Sequence, residues 1–211
     1  MDEHIYKDSY KVTQHSLEKI KIVEIQEVGY EYLDYAVIYH DESCDSQKLK
    51  SLIDEYKSKK TVCVIGCCSN QIEKSSLPTE IKNSFDLYCS HPVSEEDIEN
   101  LVDLLISVRT GLTHGDPQDI IHFRKNETNN SFSIKGATCS NINELPQFLS
   151  NSEPFKFNRY FLSIFCKEED SNIQNIDYVL QNLELKNDEE LMFTMIEDNS
   201  FDKVKIIVLC S

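Results

Sequence analysis

Apolar and polar positions along this chain fall into a readable succession of strands and helices. Lys19–Gln26 (KIKIVEIQ) alternates apolar and polar residues, the two-residue period of a half-buried strand. Tyr35–Tyr39 (YAVIY) is an unbroken apolar run, which predicts a buried strand. Leu49, Leu52, Ile53 and Tyr56 recur at helical spacing, so Ser46–Lys57 reads as an amphipathic helix. Thr61–Gly66 and Phe85–Cys89 predict two more short buried strands, separated by the loop SNQIEKSSLPTE. Strand, helix, strand, loop and strand in that order predict a parallel α/β sheet. Residues 1–17 show no clear period and are expected to form a loose arm or a short peripheral helix.

The second half opens on Ser94-Glu-Glu-Asp97, a capping-box pattern with acids in the first helical turn, where the helix dipole favours them. Ile98, Leu101, Leu104, Leu105 and Val108 give that helix an apolar stripe, and it ends at Arg109-Thr-Gly111. A turn-rich segment, LTHGDPQD, leads to a strand or short helix near Ile120–Arg124 and a polar loop, KNETNN. Then follow a strand at Phe132–Ala137, a helix around Ile142–Leu149, a strand at Tyr160–Cys166 and a helix at Ile173–Leu183. Strands at Leu191–Ile196 and Val204–Leu209 close the chain, joined by an Asp198-Asn-Ser200 turn and expected to pair antiparallel. The expected organisation is an N-terminal arm (1–17), a first α/β half (18–93), a connecting helix (94–110) and a second α/β half (111–211).

Composition narrows the function classes. The chain has 211 residues, 40% of them hydrophobic and 27% charged, enough to bury a real core. A formal charge of −16 argues against nucleic acid and anionic membrane surfaces, both of which recruit clustered Lys and Arg. No apolar run reaches the roughly 20 residues that span a bilayer. The start, MDEHIYKDSYKVTQHS, has neither a signal-peptide core nor transit character, so a cytoplasmic location is expected. With no secretory signal, the eight cysteines are expected to be reduced and structural, several of them inside strand patterns such as TVCVIGCC.

Candidate chemistry is sparse. His40, Cys44, Cys63, Cys67, Cys68, Cys89 and His91 are zinc-ligand types near the ends of neighbouring strands. They lack the paired CxxC or HxxxH spacing of zinc sites, and burial is their expected role. A nucleophilic pair of Cys67 or Cys89 with His91 or His40 needs a base within hydrogen-bond reach, which the sequence does not place. Asn187–Glu190 reads as a solvated loop. Phe155–Phe165 reads as a buried strand with its entry loop, although Phe155, Phe157 and Arg159 are also suited to an interaction edge.

The order of these pieces, from Asp34 to Ser211, resembles the FtsZ/tubulin superfamily, whose members are normally GTPases. DYAVIY resembles the strand that leads into the family's glycine-rich phosphate loop, and TVCVIG and FDLYCSHP resemble the next two strands. IENLVDLLISVRTGLTHGDPQDI is similar to the long central helix and the loop after it. FSIKGA, NRYFLSIFC and the terminal helix–strand–strand of Asn172–Ser211 follow in family order. The implied fold is a shortened FtsZ/tubulin-like α/β body: a truncated parallel-sheet nucleotide-type half, a central helix and a C-terminal α/β half.

The departures from that pattern are specific. The family's GGGTGTG-type loop lets backbone N–H groups approach phosphate at a helix N-terminus. Here the segment is His40-Asp-Glu-Ser-Cys-Asp-Ser46, with three carboxylates and no glycine. The first glycine-rich turn is reduced to Glu27-Val-Gly29-Tyr30, and Gln26 to Asp34 is too short for the family's full N-terminal set. No nucleotide cofactor and no metal is expected.

In the family, the loop after the central helix enters the next subunit's nucleotide site, where its carboxylates help position the attacking water. By residue type Asp116 and Asp119 fall on the two family aspartates, with His114 in place of the usual asparagine. The resemblance therefore implies a lost receiving site beside a partly kept donating loop. Two readings of Gly115-Asp-Pro-Gln-Asp119 stand together: docking onto the nucleotide face of an FtsZ-type filament, or a turn whose Asp and Pro serve backbone geometry and capping. The expected function is that of a non-catalytic, pseudo-GTPase-like protein that caps or regulates FtsZ-type filaments, with FtsZ or a second copy of itself as partner. The alternatives are a small hydrolase or transferase using Asp116/Asp119 or a Cys–His pair, and a scaffold unrelated to filaments. The chain stops just after its last strand, without the tail that recruits FtsZ-type proteins to membranes, so it is not expected to anchor itself.

Overall fold

The computed structural model describes residues 9–41, 43–69, 77–89, 91–111, 115–122, 130–144, 147, 159–182, 190–199 and 202–211. Its frame is a nine-stranded mixed sheet in the order β1-β2-β3-β4-β5-β6-β9-β7-β8. These strands are β1 (Tyr10–Leu17), β2 (Ile20–Glu27), β3 (Tyr35–His40), β4 (Cys63–Cys68), β5 (Leu87–Cys89), β6 (Ser131–Cys139), β7 (Arg159–Cys166), β8 (Glu190–Glu197) and β9 (Val204–Cys210). Helices α1 (Ser46–Ser58), α2 (Thr79–Lys82), α3 (Glu95–Thr110), α4 (Pro117–Ile121) and α5 (Ile173–Asn182) flank it, with a 3-10 turn at Ile142–Glu144.

β3, β4, β5 and β6 are parallel neighbours, as the strand–helix–strand pattern predicts. Because side chains alternate across a sheet, each buried strand feeds two cores. Val37, Ile65, Cys67, Leu87 and Cys89 join Leu101, Leu104 and Leu105 of α3 and Ile120 of α4 on one face. Ala36, Ile38, Val64, Phe85 and Tyr88 pack with Leu49, Ile53 and Tyr56 of α1 on the other. In the second half Leu162, Ile164, Met195, Ile206 and Val208 pack with Val179 of α5.

α3 packs in one core with residues of β3, β4 and β5 and of β7, β8 and β9. Its capping box forms: the Ser94 amide donates to Asp97 Oδ2 at 2.8 Å, and the Asp97 amide donates to Ser94 Oγ at 3.1 Å. It then crosses β6, β9, β7 and β8 in sheet order along a polar seam. A Cβ on Gly136 of β6 would lie 2.2 Å from Asn100 Nδ2. Lys205 of β9 donates to Asp103 at 2.9 Å. The hydroxyls of Ser107 and Ser163 of β7 meet at 2.6 Å, and a Cβ on Gly111 would fall 1.6 Å from Thr194 Oγ1 of β8. Steps of three or four residues rise about 4.5–6 Å along a helix, close to the ~4.8 Å strand spacing, so one helix face meets one strand per turn.

Several expectations are corrected. Tyr10–Leu17 is a strand paired with β2 through eight residue pairs, not a loose arm or a helix. Only Tyr10 of β1 is buried, so no apolar period announced it; the backbone ladder builds it. The last two strands are not partners: β7 lies between them, parallel to β8 and antiparallel to β9. All of β7 except Arg159 is buried, and a strand with two covered faces takes the central place, where both rims are also paired. β5 and β6 pair at Tyr88–Ser131 and Cys89–Phe132, so a single sheet runs through both expected halves. α4 is the short-helix option, three residues earlier than its predicted start. The helix expected at Ile142–Leu149 begins as a 3-10 turn, and most of its remainder lies outside the described residues.

Candidate functional site

The carboxyl ends of parallel strands are the usual place for a ligand in open α/β sheets, and here β3 ends there in the turn to α1. Five of its amides find partners within the chain. Asp41 N–H donates to the Lys19 carbonyl at 2.9 Å, and Cys44 N–H to the Asp41 carbonyl at 3.1 Å. Ser43 N–H and Oγ–H both donate to Asp41 Oδ1, at 2.7 and 2.6 Å. Asp45 is the N-cap of α1, and its Oδ1 accepts from Gln47 N–H at 2.8 Å and Lys48 N–H at 3.3 Å. Three donors of the kind a helix N-terminus offers a phosphate, the Ser43, Gln47 and Lys48 amides, are thus held by the chain's own carboxylates. The Ser43 bonds also hold the Asp41 carboxyl below its usual range.

A second device closes this turn, and sequence reasoning missed it. The β1–β2 hairpin tip reaches over it: Lys19 Nζ donates to Ser43 Oγ at 2.5 Å, and Lys48 pairs with Glu18 at 3.0 Å. Glu18 takes a left-handed φ of 50° to make that tip. The signal was available only as Leu17-Glu-Lys-Ile20, a turn without Gly or Asn, and so without ordinary hairpin chemistry.

The cysteines and histidines do not gather into a nucleophile. His40 is fully buried, its Nε2 lies 3.2 Å from Tyr88 Oη and its Nδ1 lies 3.2 Å from the Asp41 carbonyl. Burial lowers its pKa. Cys67 pairs with Tyr39 in the β3–β4 register and packs in the α3-side core, one residue out of phase with His40 and Tyr88. Burial pushes the Cys67 thiol well up and the Cys89 thiol up to about 12, far from the thiolate a nucleophile needs. His91 is exposed and meets the Cys89 thiol through its backbone amide. All eight cysteines are free thiols, Cys44 half-buried and the others buried. Among the described residues no group of three His, Cys, Asp or Glu side chains is placed to hold a metal.

The other candidate lies at the far end of α3, whose 16 residues span about 24 Å. Asp116 caps α4: its Oδ1 accepts from Gln118 N–H at 2.9 Å, while Asp119 Oδ2 accepts from Asp116 N–H at 2.7 Å. The two aspartates are therefore brought together as a reciprocal capping box with Pro117 at the first helical position. Gly115 N–H ties the segment back to the Val108 carbonyl at 2.7 Å. Asp116 is exposed and Asp119 half-buried; His114 lies outside the described residues.

No family model matches the sequence, and no curated protein matches it. Solved structures do match. FtsZ of M. jannaschii is similar with a TM-score of 0.58 and 11% identity, over 83% of this chain and 64% of that one. CetZ of Methanosaeta thermophila gives 0.56 and 9%, over 85% and 62%. CetZ2 of Haloferax volcanii, a GTPγS-bound protofilament, gives 0.53 and 9%, over 84% and 64%. The chain thus spans less than two thirds of the length of the solved chains it matches. Among the described residues no helix is long and apolar enough to cross a membrane. The fold of this chain is a shortened FtsZ/tubulin-like α/β fold.

Proposed function

We propose that this chain acts through protein contacts, as a non-catalytic FtsZ-like protein that caps or regulates FtsZ-type filaments through the loop His114–Asp119. The observation that carries the proposal is the β3–α1 turn, where the Asp41 and Asp45 carboxylates accept the Ser43, Gln47 and Lys48 amides at the start of α1. A chain that keeps the family's loop order while filling its own phosphate position suits a role at a filament end, in the cytosol, during cell division. The partner is an FtsZ-type protein or a second copy of the chain. The protofilament state of the CetZ2 structure supports looking for end-to-end contacts.

The capping box at Asp116 and Asp119 demands a careful control, since alanine there removes helix caps as well as charge. Asp116→Asn/Asp119→Asn keeps a side-chain oxygen at each cap and removes both charges. The test is co-sedimentation and GTP turnover of FtsZ from the same organism as this chain is titrated in. Substoichiometric loss of polymer or altered turnover, abolished by the double asparagine variant, supports docking through this loop. An effect that survives in that variant leaves the carboxylates as turn residues only. No effect at large excess overturns the filament role.

A further inference from the structure

The two edges of the nine-stranded sheet are unlike. β8 carries Glu190 and Glu197 at its ends, whereas β1 (YKVTQHSL) has no carboxylate, no proline and one formal charge, Lys11. Edge strands are ordinarily blunted by charges, proline or bulges, because their outer rim is a row of backbone donors and acceptors. The β1–β2 register runs unbroken from Tyr10–Glu27 to Leu17–Ile20, so β1 carries no bulge. Among the described residues it pairs on one side only.

β1 is also held ready. At its base, Val28 N–H donates to the Ser9 carbonyl at 2.8 Å; at its tip, the Lys19, Glu18 and Asp41 contacts fix the hairpin to the β3–α1 turn. Beyond Tyr10 no residue of β1 is buried, and Val12 and Leu17 are 39% and 44% exposed. A strand ordered in advance loses little freedom on pairing.

We infer that β1 is a homotypic docking edge: two copies of this chain pair β1 against β1, antiparallel about a two-fold axis, joining their sheets. Charge selects the occupant. The chain carries 37 carboxylates against 21 Lys and Arg, so most surfaces of two copies repel. None of those carboxylates is on β1. With Thr13 on the axis, Lys11 faces His15 of the second copy and Val12 faces Gln14. The two Lys11 side chains then stand four residues apart, about 13 Å, beyond the ~8 Å screening length of physiological salt. Antiparallel self-pairing of β8 instead brings the Glu190 end of one copy to the Glu197 end of the other. Pairing of like edges closes after two copies. This inference does not depend on the role of the His114–Asp119 loop.

The test is sedimentation equilibrium of the full chain from micromolar to millimolar concentration, with amide hydrogen exchange across β1. A concentration-dependent dimer is expected, weak because one strand pair is a small interface, with β1 exchange slowing as it forms. Val12→Lys/Gln14→Lys sets four lysines together on one face of the paired strands and should leave a monomer with unchanged circular dichroism. Gln174→Lys/Gln181→Lys adds the same two lysines on exposed positions of α5 and should leave the dimer intact. A wild-type monomer throughout, a dimer indifferent to the β1 lysines, or open-ended polymers would overturn the inference.

Discussion

His40 shows how a residue that reads as chemistry becomes structure. Its ring is fully buried between Tyr88 and the Asp41 carbonyl, and burial lowers its pKa. In the unfolded chain a histidine takes its proton near pH 6.5. Below that value the unfolded state binds more protons than the folded one, so stability is full above about pH 6.5 and falls as pH drops toward the lower folded pKa. Urea titrations across this window should show that loss, and His40→Gln should flatten the part of the slope due to this residue. Gly111 is the opposite case, a residue the sequence marked only as a helix end. Its Cβ position is occupied by Thr194, so Gly111→Ala is expected to destabilise by about 1–3 kcal/mol, as overpacking does; the denaturation midpoint checks it. The glycine was visible in the sequence, but the strand that fills its missing side chain was not, because β8 lies about eighty residues downstream.

At the scale of elements, caps and the α3 seam decide how local signals become a site. Asp45→Ala should cost about 1 kcal/mol through loss of the α1 cap, while Asp45→Asn should cost little, by the same denaturation measurement. The Ser107–Ser163 pair gives a sharper prediction. Ser107→Ala leaves the buried Ser163 hydroxyl facing a methyl group and should cost about 1–3 kcal/mol; Ser163→Ala should cost less, because Ser107 Oγ–H still donates to the Leu104 carbonyl, and the double change should be less than additive. The seam was half legible. Asn100, Asp103, Ser107 and Gly111 recur at i, i+3, i+7 and i+11, a polar stripe on a helix otherwise recognised by its leucines. Nothing in the sequence tells that such a stripe faces a sheet rather than water. Ser94–Asp97 was fully legible, because a capping box lies within four residues and needs no tertiary partner.

For the whole molecule, the proposed role predicts folding that does not depend on nucleotide, since the Asp41 and Asp45 carboxylates already hold amides of the β3–α1 turn. Millimolar GTP with Mg²⁺ should leave the thermal midpoint unchanged, whereas a ligand at a hundred times its Kd would add about 2.7 kcal/mol. A rise in midpoint with GTP would show that the turn opens and would overturn the non-catalytic reading. The sequence by itself determined the local choices: the β3, α1, α3, β7 and β9 segments, the missing glycines at His40–Ser46 and the Asp116–Asp119 turn. Each follows from period, capping or composition within a dozen residues. Only the tertiary structure decided that residues 10–17 form an edge strand, that β7 separates β8 from β9, and that the hairpin tip closes over the β3–α1 turn. These depend on contacts between residues distant in sequence, and backbone pairing carries no side-chain pattern from which to read them.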